Sequence, residues 1–294
     1  MDHEVIVIGG GAAGLSAALV LGRARKRVLV LDAGEPSNAP AQAIGGLLGQ
    51  HGTSPLELLE VGRAQLAELP TVEVRRGAVA TGVRAHADRV EVDGVRAGAL
   101  LLATGMTYNK PDLPGIAELW GDTVFHCPFC HGWEVAGRPL ALLGHGHPHA
   151  AMLARVLAAW SDDVVLLADP DALDPADRDA LVAAGIAIDP RPVAGVRARD
   201  GKLAAIAFAD GSPELARDGL LVHAPLVPRS SILDDLGLER TEQGVVATTG
   251  WGVTSVPRVW AAGDVAEPAP SVPAAIAAGH RAGAGIVIGM QTAT

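Results

Sequence analysis

The sequence predicts an α/β protein of two doubly wound domains, the second inserted into the first. A pattern of strand, glycine-rich turn, helix and strand covers residues 4–32 and returns at residues 139–167. The strands in both copies are short apolar runs without polar alternation, which is typical of parallel strands that are buried on both faces. With 294 residues, the chain is long enough for two such domains.

Composition argues against several classes of protein. Hydrophobic residues make up 49% and charged residues 19%, which is a globular composition. The 23 Lys and Arg against 33 Asp and Glu give a net charge of −10, which disfavours nucleic acid or an anionic membrane as a partner. The first residues lack the basic segment of a secretory signal, and His280 and Arg281 interrupt the apolar stretch 272–290. We therefore expect a cytoplasmic protein whose last helix is a buried core helix.

The first glycine turn predicts a dinucleotide site. Gly9, Gly11 and Gly14 form a GxGxxG pattern directly after a strand and at the start of a helix. In such a turn the first glycine permits the bend, the second lets the backbone approach a pyrophosphate, and the third lets the helix pack on the strand. Asp32 ends the following strand, where a carboxylate can hold ribose hydroxyls. The alternative is a glycine-rich turn that only packs well.

The second copy has a degraded glycine signature, and two crossings mark where it is inserted. A strand that ends in a turn precedes the Pro-rich stretch near residue 110, and a second crossing lies near residue 225. These crossings predict a discontinuous first domain of residues 1–107 and 224–294 around an inserted domain of residues 108–223.

A further polar position of the first domain lies near the C-terminus. The segment WAAGDVAE gives a strand that ends in Gly263 and Asp264, and a helix that includes Ala274 begins at about residue 273. The acid can hydrogen-bond a polyol chain, and the helix N-terminus can stabilise negative charge on a ring. The alternative is that Asp264 only caps a turn or helix.

The chain has two cysteines, Cys127 and Cys130, and they form a CxxC between His126 and His131. A zinc site would need two more ligands, and four ligands within six residues could hardly form a tetrahedron. A structural disulfide over so short a loop would remove little entropy from the unfolded chain. A catalytic pair is therefore favoured, and a pair of inert buried thiols remains the blandest alternative.

Four motifs, in this order, resemble the low-molecular-weight thioredoxin reductase family of flavoproteins. They are GxGxxG from Gly9, LLLATG at 100–105, CxxC at 127–130 and TSVPRVWAAGDV at 254–265. The resemblance runs nearly end to end and implies two Rossmann-like domains, a homodimer, bound FAD and a redox-active disulfide on the inserted domain. The residues it assigns to the flavin site are Gly9, Gly11, Gly14, Asp32, Gly105 and Asp264, and by analogy with the family Asn38 lies over the flavin. The alternative for Asn38 is an ordinary turn residue. Gly263 and Ala274, from the C-terminal strand and helix, complete the predicted cofactor site.

The same resemblance implies that Cys130 faces the flavin and Cys127 meets the substrate. The thioredoxin reductases typically have Asp after the second cysteine, where this chain has His131. The segment CPFCHGWE resembles instead the dithiol oxidases that close disulfides in natural products such as gliotoxin, holomycin and romidepsin. This branch implies FAD-dependent oxidation of a small-molecule dithiol in antibiotic biosynthesis, with molecular oxygen as the acceptor. We expect His126 to be the base that takes substrate protons, with His131 as the second candidate.

The inserted domain does not favour NADPH. His149 stands at the third small position of its glycine turn. Asp169, Asp171 and Asp174 follow the next strand, where the reductases have arginines for the 2′-phosphate, and carboxylates there would repel a phosphate. An NAD(P)H-dependent thioredoxin reductase is the alternative function. A flavin redox sensor without turnover is an alternative of another class.

Overall fold

Parallel sheets covered by helices form the framework of the part of the chain that the structure describes. In this computed structural model, residues 3–147 and 149–292 are described. They divide into two compact units. Unit 1 comprises residues 3–39, 53–107 and 226–292, and unit 2 comprises residues 40–52, 108–147 and 149–225.

Strands and short helices alternate through both units. Within the described residues the strands are β1 (Val5–Ile8), β2 (Val28–Asp32), β3 (Val72–Arg76), β4 (Val83–Ala85), β5 (Val90–Val92), β6 (Val95–Ala97), β7 (Ala99–Leu102), β8 (Met106–Tyr108), β9 (Val124–Phe125), β10 (Leu140–Leu143), β11 (Val164–Leu167), β12 (Ala187–Asp189), β13 (Val193–Arg199), β14 (Lys202–Phe208), β15 (Leu215–Ala216), β16 (Gly219–Val222), β17 (Leu226–Pro228) and β18 (Val259–Ala261). The helices are α1 (Ala12–Arg23), α2 (Pro55–Ala67), α3 (Ile116–Leu119), α4 (Pro128–His131), α5 (Ala150–Leu157), α6 (Pro175–Ala183), α7 (Ile232–Asp235) and α8 (Val272–Thr292), with 3₁₀ turns at Pro170–Ala172 and Asp264–Ala266.

The five-stranded sheet of unit 1 is parallel, and β1 lies at its centre. Its strand order is β18-β7-β1-β2-β3. All four residues of β1 are buried, because apolar clusters cover both faces of the strand. The carboxyl ends of β1, β2 and β7 meet at one edge of the sheet, where a doubly wound fold binds its ligand.

The five-stranded sheet of unit 2 is also parallel, in the order β12-β11-β10-β16-β9. Leu143, at the end of β10, lies opposite Leu167 on one side and Val222 on the other. The carboxyl ends of β10, β11 and β16 therefore share one edge. The predicted pair of doubly wound α/β units is confirmed.

The two units divide the chain differently from the sequence-based prediction at residues 40–52. The prediction assigned these residues to the first domain, whereas in the structure they belong to unit 2. A Cβ atom added at Gly45 would lie 2.7 Å from the carbonyl oxygen of Cys130. The Gln42 side chain also donates a hydrogen bond to Asp122 at 3.3 Å. Because Gly45 has no side chain, this segment approaches the backbone of the CxxC directly.

Helix α8 is a core helix of unit 1, as the sequence predicted. By length and composition it could cross a membrane. However, a Cβ at Gly279 would lie 2.0 Å from the carbonyl oxygen of Ala13, and one at Gly283 would lie 2.9 Å from that of Ala17. The glycines thus let α8 pack closely against α1, and its apolar composition serves this contact.

Candidate functional site

The first glycine turn has two glycines that pack tightly and one that leaves space. Gly9 has a φ of 110°, and a Cβ there would lie 2.1 Å from the carbonyl oxygen of Ala103. A Cβ at Gly14 would lie 1.8 Å from the carbonyl oxygen of Gly9. At Gly11 a Cβ would meet nothing within 4 Å. Gly9 and Gly14 are therefore needed to form the turn, and Gly11 leaves the space that a pyrophosphate requires.

The start of α1 offers backbone donors to this space. Gly11 is the N-cap residue, and α1 has no side-chain cap. The N–H groups of Ala12 and Ala13 find no acceptor among the described residues. Unpaired N–H groups at a helix N-terminus bind phosphate oxygens.

Asp32 is held at the same edge by a basic partner from α2. Its Oδ1 accepts a hydrogen bond from the Gly34 N–H at 2.9 Å, and its Oδ2 accepts one from the Arg63 guanidinium at 2.8 Å. A Cβ at Gly10 would lie 2.3 Å from Asp32 Cγ, so Gly10 makes room for the carboxylate. Asp32 is 5% exposed. Its remaining lone pairs can accept hydrogen bonds from ribose hydroxyls.

The C-terminal positions of the predicted site also reach α1. Gly263 has a φ of 80°, and a Cβ there would lie 2.8 Å from Ala13 Cβ. Asp264 comes next, at the start of a 3₁₀ turn, half-buried, and its carboxylate forms no hydrogen bond with another described residue. Burial raises the pKa of Asp264, whereas a hydrogen bond from its own backbone N–H and the positive charge of Arg229 act in the opposite direction. The turn thus presents a carboxylate that has no hydrogen-bond partner on another described residue.

The other predicted flavin positions differ in their surroundings. Gly105, just after β7, has a φ of 66° and open space around a Cβ. Ala274 lies in the first turn of α8, and its N–H donates to Ser271 Oγ at 3.3 Å. This helix start is therefore partly capped by the chain itself. Asn38 lies half-buried in a turn of unit 1, and its side chain has no partner among the described residues.

These features of unit 1 fit FAD. The space at Gly11 and the N–H groups of α1 suit the pyrophosphate, and Asp32 suits the adenosine ribose. The unpartnered carboxylate of Asp264 suits the hydroxyls of a polyol chain. Sequence reasoning did not single out Gly10 or Arg63. The run of three glycines is a signal for Gly10, whereas Arg63 on α2 has no local signature.

In unit 2, Cys127 and Cys130 form a disulfide. Cys127 is the N-cap residue of α4, Pro128 begins the helix, and the Cys130 N–H donates to the carbonyl oxygen of Cys127 at 3.2 Å. Zinc binds thiolates, and an oxidised pair supplies none. In residues 3–147 and 149–292 the structure has no group of three or more His, Cys, Asp or Glu that could hold a metal ion.

His126 is packed among aromatic rings. Its ring centroid lies 4.1 Å from that of Tyr108 and 5.6 Å from that of Trp120. Burial lowers the pKa of His126 to about 4, and the neighbouring His131 adds to this effect. The imidazole is therefore neutral at physiological pH and weakly basic. Sequence reasoning did not identify Tyr108 or Trp120. Tyr108 is distant from His126 along the chain, and Trp120 is closer but belongs to no motif.

His131 has a hydrogen bond that fixes its tautomer. Its Nε2 lies 3.1 Å from the carbonyl oxygen of Gly121, and a carbonyl only accepts, so Nε2 carries the proton of the neutral ring. Nδ1 is buried and has no partner among the described residues. Burial lowers the pKa of His131, whereas the bond to Gly121, the charges of Glu134 and Asp122 and the backbone of Cys127 oppose this. The neutral ring of His131 thus keeps a lone pair on its buried Nδ1.

Large apolar side chains are exposed around the disulfide. Phe129, between the two cysteines, is 75% exposed, and Trp133 is 77% exposed. Leu48, in the segment 40–52 that contacts the CxxC, is 99% exposed. Exposed apolar side chains that cluster in this way are typical of a surface that binds a partner.

The acidic edge predicted for the second nucleotide site lies directly after β11. Asp169 Oδ1 accepts a hydrogen bond from the Asp171 N–H at 2.9 Å. Arg178 from α6 reaches this edge, but its guanidinium donates to the carbonyl oxygen of Pro170 at 3.1 Å and lies 3.5 Å from Asp171. This cation is thus already paired, and Asp174 is the N-cap residue of α6.

Comparison with known proteins places these features in one family. The sequence matches the pyridine nucleotide-disulphide oxidoreductase family over residues 3–280. It is 32% identical to the thioredoxin reductase tcpT of Claviceps purpurea over 95% of this chain and 92% of the relative. It is 33% identical to the thioredoxin reductase sirT of Leptosphaeria maculans, over 96% and 93%. The crystal structure of HlmI superposes with a TM-score of 0.91 at 38% identity, covering 99% of this chain and 93% of HlmI.

Proposed function

Because this chain belongs to the pyridine nucleotide-disulphide oxidoreductases, we propose that it oxidises a small-molecule dithiol to a disulfide through Cys127 and Cys130. The predicted class, a flavin-dependent oxidoreductase, is confirmed by the family match. Molecular oxygen is the proposed electron acceptor, and FAD is the flavin.

The observation that carries this proposal is a disulfide that is followed directly in the sequence by His131. Oxidation of a dithiol requires a base, since both substrate thiols must lose a proton. His131 directly follows Cys130, and its bond to Gly121 leaves Nδ1 as a buried lone pair. His126 has a pKa of about 4 and is enclosed by aromatic rings, so it is a weaker base. The geometry therefore favours His131 over His126, which the sequence had favoured.

The proposed chemistry has two exchange steps. Nδ1 of His131 takes a proton from one substrate thiol, and the thiolate attacks Cys127 Sγ, which breaks the Cys127–Cys130 bond and releases Cys130 as a thiolate. The second substrate thiol loses its proton and attacks the substrate sulfur of the mixed disulfide, which releases Cys127. FAD, which Gly11, Asp32 and Asp264 would hold, would supply the redox chemistry that takes the electron pair of the reduced cysteines on to oxygen. One dithiol and one O₂ thus give one disulfide and one H₂O₂.

The surroundings of the disulfide favour an apolar substrate. Phe129 and Trp133 are largely exposed next to the cysteines. Contact with an apolar small molecule would remove their surface from water, at about 25 cal/mol per Å². We further propose that the substrate is a small natural-product dithiol and that the enzyme is a cytoplasmic homodimer.

The second candidate is an NAD(P)H-dependent reductase of a thioredoxin-like protein. It is favoured by the name thioredoxin reductase that tcpT and sirT carry. The acidic edge after β11 argues against it, because Asp169 and Asp171 would face the 2′-phosphate of NADPH and Arg178 is already paired.

Oxygen uptake tests the proposal. The purified protein, loaded with FAD, is mixed in air with a small apolar dithiol, and oxygen consumption and disulfide product are measured together. We expect about one disulfide per O₂, and loss of turnover in Cys127→Ser. His131→Gln should lower kcat about 100-fold, whereas His126→Gln should lower it less.

A parallel anaerobic experiment separates the candidates. Rapid bleaching of the flavin by NADPH, with reduction of a thioredoxin and no oxygen uptake with dithiols, would establish the reductase. Absence of turnover in both assays would contradict both enzymes and leave a flavin redox sensor.

A further inference from the structure

The turn between β10 and α5 places an imidazole at the helix start, where a dinucleotide turn offers free N–H donors. Residues 144–149 come after β10 at the carboxyl edge of the parallel sheet, which is where a doubly wound unit holds a pyrophosphate. Three histidines lie in this turn, His145, His147 and His149. His223 comes directly after β16, the neighbouring strand.

His147 satisfies two of the donors at the start of α5. The His149 N–H donates to His147 Nδ1 at 3.0 Å. The Ala150 N–H donates to the carbonyl oxygen of His147 at 3.3 Å. A pyrophosphate in this turn would otherwise accept hydrogen bonds from these N–H groups. At the start of α1, by contrast, the N–H groups of Ala12 and Ala13 have no acceptor among the described residues.

The ring of His147 is held in place from the adjacent strand. Its centroid lies 4.3 Å from that of His223, and the ring of His149 lies 6.4 Å away. Since Nδ1 accepts a hydrogen bond, the neutral ring carries its proton on Nε2. Burial lowers the pKa of His147 to about 4, with His223 and His149 acting in the same direction. The neutral, accepting form is therefore present at physiological pH.

We propose that His147, which packs on His223, takes up the N–H donors that a pyrophosphate would bind in unit 2 and so weakens the binding of nicotinamide dinucleotides. A Cβ at Gly144 would lie 2.5 Å from Leu166 Cδ1 and 3.1 Å from Ala150 Cβ, so this glycine is needed for packing. A Cβ at Gly146 would meet nothing within 4 Å, so the obstacle to a pyrophosphate is the loss of donors and not a lack of space beside this glycine. The inference deepens the proposed function, on which it rests, because it explains why the electron pair leaves to oxygen and does not come from a nicotinamide.

Asp169, after β11, determines which nucleotide the turn would bind once the His147 ring is removed. Asp169 stands at the end of the strand that comes after the glycine turn, where a carboxylate binds the 2′-hydroxyl of NADH and repels the 2′-phosphate of NADPH. Removal of the His147 ring should therefore admit NADH in preference to NADPH.

The test is NADH binding by the FAD-loaded protein, with His147→Ala compared with His145→Ala. His145 is exposed in the same turn and forms no side-chain hydrogen bond with another described residue, so it is a matched control. Binding is followed by calorimetry and by anaerobic flavin bleaching. We expect weak binding by the wild type and His145→Ala, and binding at least about tenfold tighter in His147→Ala, which corresponds to about 1.4 kcal/mol. NADPH should gain less than NADH.

A second variant keeps the test decisive if His147→Ala unfolds. His147→Asn retains a side-chain acceptor for the His149 N–H but removes the ring that packs on His223, and it should show an intermediate gain. Tight NADH binding by the wild type, or no gain in either folded variant, would overturn the inference. If the wild type does not oxidise dithiols, the proposed function is wrong, but the NADH affinities of the variants can still be compared.

Discussion

The turn between β1 and α1 and the turn between β10 and α5 occupy equivalent places at the carboxyl edges of two parallel sheets. Both begin with a glycine that only fits without a side chain, Gly9 beside Ala103 and Gly144 beside Leu166. Both also leave open space at the second glycine, Gly11 and Gly146. The two turns differ in the donors at the helix start, because His147 accepts a hydrogen bond from the His149 N–H in unit 2.

This difference separates the requirements of the fold from those of the ligand. Glycines that contact a neighbouring strand or turn are kept in both units, because the packing of helix on sheet needs them. Among the described residues, the N–H groups of Ala12 and Ala13 stay free in unit 1, whereas those of His149 and Ala150 bond to His147 in unit 2. The acids differ likewise, since Asp32 is paired with the buried Arg63, whereas Asp171 is exposed beside Arg178.

Alanine at the glycines of the first turn should have the largest effect. Gly14→Ala places a Cβ 1.8 Å from the Gly9 carbonyl and should destabilise unit 1 by about 3 kcal/mol or more, with loss of flavin. Gly11→Ala meets no atom and should leave the apoprotein as stable as before, while FAD affinity falls about tenfold or more. Urea unfolding of the apoprotein and FAD titration measure the two quantities.

Gly144→Ala is the control in the second turn. Its Cβ would meet the Leu166 side chain at 2.5 Å, so it should destabilise unit 2 without changing the flavin content of the folded protein. If Gly11→Ala bound FAD as tightly as the wild type, the distinction between packing and ligand glycines would be wrong.

Removal of the basic partners should have a smaller effect and should again differ between the two edges. Arg63→Met leaves the Asp32 carboxylate buried without its cation, which should cost about 2 to 3 kcal/mol of unfolding free energy and weaken FAD binding. Arg178→Met breaks a pair with an exposed aspartate and should cost less than about 0.5 kcal/mol. Equal losses of unfolding free energy in Arg63→Met and Arg178→Met, measured by chemical denaturation, would contradict the difference in burial between the two pairs.

The response of stability to pH should be smaller than the effect of Arg63→Met. The folded pKa of His147, about 4, lies below its ordinary value of 6.5, so the unfolded chain binds more protons between these limits. Stability should therefore fall as the pH drops from 6.5 towards 4, by about 1 to 2 kcal/mol after allowance for partial exposure. Thermal unfolding at a series of pH values should show a shallower slope in His147→Gln. His126, with a pKa of about 4 in the same unit, leaves a residual slope.

Much of the framework was predictable from short stretches of sequence. The strands at 5–8 and 164–167 are continuous apolar runs, and the glycine spacing after such a strand specifies a turn into a helix. The CxxC with its flanking histidines, together with the order of the motifs, was sufficient to predict the family. These features are local because backbone conformation and burial periodicity act over a few residues.

Contacts between distant segments were not predictable in this way. Residues 40–52 carry no periodic pattern, and their packing against Cys130 depends on Gly45 meeting a backbone some 85 positions away. The choice between His126 and His131 likewise needed the Gly121 carbonyl and the aromatic rings, which the fold brings to them.

The sequence by itself determined that two glycine turns lie at the edges of two parallel sheets and that a cysteine pair is carried on the second unit. Only the tertiary structure showed that His147 bonds to the start of α5 and packs on His223, because the neighbour of β10 is β16 and this strand order brings His223 to His147. The physical reason is that a turn is shaped by its own glycines, whereas the side chains that pack on it arrive from strands far away in the chain.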